Sequence, residues 1–251
     1  MTAKTKFEFD PSIAIYPIDY GDGVQVQMYC PTLAAFRRSL KVLRKEPATI
    51  AWLDRMPMSA LLWDVGANVG SYTLYAAIKR KSRVVAFEPA AANYLTLNRN
   101  IEINGLQDSV TALCIAVAEK SGLDTLYMPS TEFGAALCNF GSATDYQGKP
   151  FEPTFKQGAV GFSLGDLAQC LPIPSHVKID VDGLERDIVP GSDALFSSSA
   201  LRSVVIELDF ARPDLVQDVV GRMSAHGFVY SNESECRQST GAFNAIFDRG
   251  P

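Results

Sequence analysis

The sequence predicts an α/β fold, a mostly parallel sheet between helices, on three observations. Short apolar runs that end in an acid (Leu61–Asp64, Val84–Glu88, Val177–Asp180, Val204–Asp209) alternate with stretches of helical periodicity. A glycine turn joins the first run to a helix, as in strand-turn-helix units. The last two apolar segments, Gly227–Tyr230 and Ala242–Arg249, flank a polar loop and read as an antiparallel finish.

The first unit, LLWDVGANVGSYTLYAA over 61–77, carries the most chemistry. Leu61, Leu62 and Trp63 form a buried strand, Asp64 ends it, and Gly66, Asn68 and Gly70 turn the chain into a helix. Such a turn lets backbone approach a ligand, and the helix start presents unpaired N–H groups. The dinucleotide fingerprint G-x-G-x-x-G is not met: the spacing is D-x-G-x-x-x-G, with Asn68 where a pyrophosphate needs glycine. An acid beside the turn repels phosphate and suits a cation, such as the ammonium of an amino acid, which points towards S-adenosyl-L-methionine (SAM). Tight packing alone is the other reading of the same glycines.

Composition narrows the classes. The chain of 251 residues fits one large domain, and its 47% apolar and 20% charged residues exclude disordered and collagen-like classes. A net charge of −5 argues against a nucleic-acid partner held by phosphate contacts. Five scattered cysteines (Cys30, Cys114, Cys138, Cys170, Cys236) lack a C-x-x-C pair, which fits reduced thiols and neither a disulfide frame nor a zinc site. No apolar stretch has the length of a signal peptide or a membrane span, so a soluble, cytoplasmic protein with no membrane partner is expected.

Taken in order, residues 1–30 show short alternating segments (Phe7 and Phe9; Val24, Val26 and Met28) around Pro11, Pro17 and a Gly21-Asp22-Gly23 turn, which predicts a small hairpin. Between Thr32 and Asp54 the period becomes helical, with Leu33, Phe36, Leu40 and Leu43 in one stripe and Pro47 opening a second helix with Ile50, Trp52 and Leu53. This pair either packs against the sheet or lids a site. The domain assignment is therefore decoration over 1–55 and the main domain over 56–251.

A strand over Arg83–Pro89 follows the glycine turn and ends at Glu88, where a carboxylate forks onto the two hydroxyls of a ribose. A helix over Ala91–Asn104 stops at Gly105, and a strand over Val110–Ala118 brings Ala116 to the same edge, either against an adenine or as ordinary packing. From Leu126 to Phe162 glycines, prolines and aromatics (Phe133, Phe140, Tyr146, Phe151, Phe155) mark an insertion too long for a connection. It is a substrate-recognition element or a hairpin with its own small core.

Next, Ser175–Pro190 forms a strand on which Lys178, Asp180 and Asp182 share a face, with Gly183 turning into a helix that carries Glu185. Arg202–Asp209 repeats the pattern with Glu207 and Asp209. If these strands are neighbours, their carboxylates gather at the carboxyl edge of the sheet, where open α/β sheets bind ligands; Lys178 and a further cation, sulfonium or metal, would compensate them. Histidines are few: His176 and His226 read as plain core or surface residues.

The succession EPATIAWLD (46–54), WDVGANVGSYTLYAA (63–77), VVAFEPAAANYLTLNRNIEING (84–105), KIDVDGLE (178–185) followed by PG, and VVIELD (204–209) resembles the FkbM family of SAM-dependent methyltransferases, over about residues 45–249. The resemblance implies the class I methyltransferase (Rossmann-like) three-layer sandwich, with a seven-stranded, mostly parallel sheet and an antiparallel last strand. It also implies transfer of a methyl group to a hydroxyl of a sugar or natural-product scaffold, so a small-molecule acceptor. Two positions depart from the family: Gly165 stands where an acid usually follows Ser-Leu, with Asp166 next, and Asp182 stands for the usual Glu of KIDVEG.

On this reading Asp64 and the backbone around Gly66, Asn68 and Gly70 hold the methionine end of SAM, Glu88 its ribose and Ala116 its adenine. Asp180 lies between donor and acceptor. Asp182, Glu185 and Glu207 are candidates for the base or for acceptor contacts, and Lys178 neutralises these acids; a structural ion-pair network is the other reading. No metal is predicted, although magnesium is one cation the acids would accept. A nicotinamide-dependent oxidoreductase on a similar sheet and a silent SAM-binding subunit are the competing functions.

Overall fold

A computed structural model of the chain describes residues 9–145, 148–181, 185–231 and 241–250. Phe7, Tyr146, Asp182, Gly183 and Cys236 lie outside the described residues.

The chain opens with a hairpin, β1 (Ile15–Asp19) and β2 (Gln25–Tyr29), paired antiparallel across the Gly21–Gly23 turn. The first arm is Ile15–Asp19, and Pro17 sits inside it, which a two-stranded ribbon tolerates because each strand has one unpaired edge. The other edge of β2 is closed by amide side chains. Asn100 Oδ1 accepts from Tyr29 N at 2.6 Å, and Asn104 exchanges both its groups with the backbone of Gln27.

Three helices follow, α1 (Leu33–Leu40), α2 (Val42–Lys45) and α3 (Pro47–Arg55). Thr32 caps α1 by accepting from Ala35 N. Its buried face is Ala35, Phe36 and Ser39, while Leu33 and Leu40 are exposed, so the predicted leucine stripe is rotated about the axis. Ala35 is small because another backbone lies against it, as shown below, while Phe36 of the predicted stripe stays buried.

The main sheet comes next. It contains β3 (Leu61–Val65), which leads into α4 (Ser71–Lys79), β4 (Arg83–Phe87), which leads into α5 (Ala91–Ile103), and β5 (Val110–Leu113). The small strands β6 (Ala116–Val117), β7 (Gly122–Met128), β8 (Asn139–Phe140) and β9 (Phe155–Phe162) then form a separate sheet of order β6-β9-β7-β8. The predicted strand over 110–118 is thus split. β4 ends before Pro89, the ladder closes with Glu88 N on Leu113 O, and the chain leaves for the small sheet.

After α6 (Leu164–Cys170) the main sheet resumes with β10 (His176–Ile179). Two short helices, α7 (Glu185–Ile188) and α8 (Asp193–Phe196), are joined by a 3-10 turn at Val189–Ser192. The fold ends with β11 (Ser203–Asp209), α9 (Pro213–Ala225), β12 (Phe228–Ser231) and β13 (Ala242–Arg249). The sheet order is β12-β13-β11-β10-β3-β4-β5, and β13 alone runs antiparallel to its neighbours.

Alternate strand residues enter two different cores, which is what a sheet covered on both faces requires. Leu62, Val84, Ala86, Val205 and Ile246 pack with the hairpin and α1, α3, α4 and α5. Trp63, Val85, Val177, Val204 and Phe247 pack with α6, α8 and α9. Trp52 of α3 is pinned to the sheet by Nε1 donating to Ser203 Oγ at 2.7 Å. Among the described residues no helix is long and apolar enough to cross a membrane.

His176 is a core residue: its ring meets Trp52 edge-on at 5.6 Å, and Nδ1 lies 2.9 Å from Ser175 Oγ. Burial pushes its pKa down from 6.5 to about 4, with Asp248 opposing weakly. A depressed histidine costs stability as pH falls below its unfolded value, because the unfolded chain takes up the proton first. Urea titrations at pH 7 and pH 5 are expected to show about 2 kcal/mol of stability lost through this group, and His176→Gln to lack that portion of the acid slope. Identical slopes in the two proteins would remove His176 as the cause.

Candidate active site

Two clefts meet at the carboxyl edge of the main sheet. The larger, of about 550 Å³, lies over β3 and β4 and is bounded by Gly66, Asn68, Glu88, Ile115 to Val117, Phe140 and Asp180 among others. The second, of about 410 Å³, lies beyond the glycine turn against α1 and the start of α4. Gly66, Asn68 and Asp180 border both.

The turn between them is built by close approach. Gly66 has φ +79, and a Cβ there would overlap the carbonyl of Asp180, so only glycine lets β3 and β10 end this near each other. Asn68 is also left-handed, at φ +51. Its backbone N–H donates to Glu88 Oε2 at 2.8 Å, and its Nδ2 donates to Ala135 O at 2.8 Å. Asn68 therefore ties the turn to the β4 acid and to the inserted segment. Gly70 is the N-cap of α4.

Glu88 is 5% exposed and stands on the wall of the larger cleft. Oε1 accepts from Ala90 N at 2.9 Å, and the Asn93 amide lies 3.4 Å from the same oxygen. These bonds fix the orientation of the carboxylate on the cleft wall. Ala116 lines the same cleft.

Asp64 lines neither cleft. It is 1% exposed, accepts from Thr73 Oγ1 at 2.5 Å, and has Oδ1 3.9 Å from the Lys178 ammonium. Its contacts in this structure are with Thr73 and a buried lysine. Register explains this: Asp64 and Lys178 are partners across β3 and β10, and both point to the same face. Lys178 lines the second cleft, lies 2.9 Å from Asp180 Oδ2, and has the Tyr72 ring 5.0 Å from its nitrogen.

Burial by itself would strip Lys178 of its proton, but Asp180, Asp64 and Glu46 outweigh that and hold its pKa above the usual lysine value. Burial raises the Asp64 pKa, opposed by Lys178 and Thr73.

The remaining acids separate. Glu207 joins Asp180 and Glu46 in a group whose oxygens lie within 4.8 Å of one another. Glu46 also receives Thr49 Oγ1 at 3.2 Å and Asn244 Nδ2 at 3.3 Å. Glu185 accepts from Val181 N at 3.2 Å at the start of α7 and lines neither cleft. Asp182 lies outside the described residues. Asp166 accepts from the Ser121 hydroxyl, its backbone N–H donates to Ser163 Oγ at 3.0 Å, and it lines neither cleft.

Sequence reasoning missed Glu46, Arg38, Tyr72 and Asn93. Glu46 had a signal, since it opens the EPATIAWLD stretch. Tyr72 and Asn93 likewise lie inside the 63–77 and 84–105 stretches, whereas Arg38 had no signal, because tertiary packing alone brings it to the edge.

Comparison with known proteins now becomes decisive. The profile of the methyltransferase FkbM domain matches residues 64–230. The chain belongs to the FkbM methyltransferase family. This FkbM domain is 29% identical over 151 residues to Methyltransferase 1 of Beauveria bassiana, a match that takes in 55% of the chain and 60% of that protein. It is 28% identical over 180 residues to Methyltransferase sdnD of Sordaria araneosa, covering 62% and 68%. Among solved structures, methyltransferase FkbM of Methylobacillus flagellatus superposes with a TM-score of 0.55 at 14% identity, over 77% of this chain and 44% of that one. That likeness speaks for the class I fold alone.

FkbM methyltransferases take their methyl group from SAM, and the residues present fit it. Glu88 offers an oriented carboxylate for a diol, Ile115 to Val117 and Phe140 offer apolar walls, and the second cleft carries charges of both signs. Lys178→Met leaves Asp64 and Asp180 facing each other unneutralised and is expected to cost about 3–5 kcal/mol in urea unfolding, with Asp64→Asn recovering part of the loss. A cost under about 1 kcal/mol would show that the pairing is not what holds this edge together.

Proposed function

We propose that the protein is a SAM-dependent O-methyltransferase acting on a hydroxyl of a small molecule, a sugar or natural-product scaffold. One observation carries the reading: two clefts meet across the Gly66–Asn68 turn, with the oriented Glu88 carboxylate on one side and Asp180 at the seam. A nucleoside lies in the larger cleft with its ribose on Glu88 and its base against Ala116. Its amino-acid end continues past Gly66, Asn68 and Gly70. Asp64 acts on this end through Lys178, not by touching it.

SAM, when bound, supplies a methyl carbon activated by its sulfonium. The chain's task is to align an acceptor oxygen with it and to take the proton that oxygen gives up. Asp180 is the base we favour, because it borders both clefts and lies 2.9 Å from an ammonium that steadies it. Glu207 stands behind it, with Asp182 as the other base candidate and Glu185 as support for the turn at Val181. The acceptor approaches from the side of the inserted sheet, whose Leu126, Cys138 and Phe140 border the larger cleft. The apolar core that Leu126 and Met128 share with Ala90 ties that sheet to the domain. The methyl-transfer reading draws support from relatives named as methyltransferases, one of them sdnD of Sordaria araneosa.

Titration calorimetry with S-adenosylhomocysteine tests the donor half: binding is expected, and Glu88→Ala is expected to weaken it by about 10- to 100-fold. Absence of binding at millimolar ligand would overturn the reading. A screen of hydroxylated sugars and natural products with labelled SAM tests the acceptor half, and in it Asp180→Asn is expected to lower kcat by about 10²- to 10⁴-fold.

A further inference from the structure

The second cleft holds one cationic group, Arg38, that pairs with no carboxylate among the described residues. Lys45, on its rim, lies 3.2 Å from Glu46, and Lys178 lies 2.9 Å from Asp180. Arg38 differs. Its Nε donates to Gly134 O at 2.6 Å, which sets the plane of the guanidinium, and its two terminal nitrogens have no partner among the described residues. Across the cleft, at the first position of α4, the Ser71 hydroxyl is buried and has no hydrogen-bond partner among the described residues. α4 is nine residues long, and its N-terminal dipole end adds positive potential there. A planar fork, a hydroxyl and a helix start facing one space form a receptor for a carboxylate.

Resting on the functional reading above, we propose that Arg38 binds the α-carboxylate of the methyl donor, so that the N-terminal helix completes the donor site. Continuity selects this occupant. Gly66, Asn68 and Asp180 border both clefts, so a nucleoside in the larger one that carries an amino-acid tail delivers that tail to Arg38. The second cleft presents Asp180 as well as Arg38, and opposite charges in one space are complementary to an amino acid, not to a lone anion.

The placement of Arg38 is rigid. Gly134 (φ +82) packs against the Ala35 backbone with no room for a Cβ, and Thr32 Oγ1 donates to Phe133 O at 2.6 Å. Residue 38 precedes the matched stretch 64–230, so this contact belongs to the chain's own N-terminal elements.

The test compares two ligands by calorimetry. S-adenosylhomocysteine carries the amino-acid end; 5′-methylthioadenosine shares its adenosine and thioether but lacks that end. Arg38→Met is expected to weaken the first by about 10- to 100-fold and to leave the second unchanged, with Arg38→Lys in between. Unchanged binding of the second ligand also shows that the variant is folded. Equal losses for both ligands, or no loss for either, would overturn the proposal while leaving the functional reading intact. Failure of the wild-type protein to bind either ligand would overturn both.

Discussion

The carboxyl edge of the sheet depends on a single buried ammonium. Lys178 lies between Asp64 and Asp180, with Glu46 near enough to act on it, in a region where an unpaired charge is costly to keep. Remove it and three carboxylates face one another under the turn that separates the two clefts. Its neighbours follow from strand register: Asp64 is its cross-strand partner on β3, and Asp180 follows two residues later on the same face. Tyr72, at the start of α4, closes the fourth side with its ring.

From that centre the rest of the edge is assembled by backbone proximity. Gly66 allows the end of β3 to touch the carbonyl of Asp180, and Asn68 then faces Glu88 and Ala135 at once. Asn93 repeats the link from the other side: Oδ1 accepts from Gly134 N at 2.8 Å and Nδ2 donates to Ala135 O at 3.1 Å. Two asparagines thus hold the inserted segment over the larger cleft, and Arg38 and Thr32 hold the same segment from α1. The N-terminal helices and the insertion, far apart in sequence, act as one wall.

Much of this was legible beforehand. The glycine turn, the acid at the end of β4 and the antiparallel finish are local features whose spacing is fixed by strand and helix geometry, so the residues alone reveal them. The inner face of α1 departs from the leucine stripe for a physical reason: such a stripe signals an apolar neighbour at side-chain distance, whereas Gly134 brings backbone to backbone and selects Ala35. The strand over 110–118 was read as continuous because nothing in its apolar pattern marks where β4 runs out of partners.

By itself, the sequence determined the class of fold, the order of its strands' chemistry and the glycines and acids at the strand ends, because periodicity and turn chemistry act over a few residues. It did not determine which acid meets solvent and which is buried. Asp64 and Asp180 look alike in the chain, yet one is sealed behind Thr73 and Lys178 while the other borders both clefts. Only the stacking of α1, α4 and the inserted sheet on that edge decided it, since burial is set by what arrives from elsewhere in the chain.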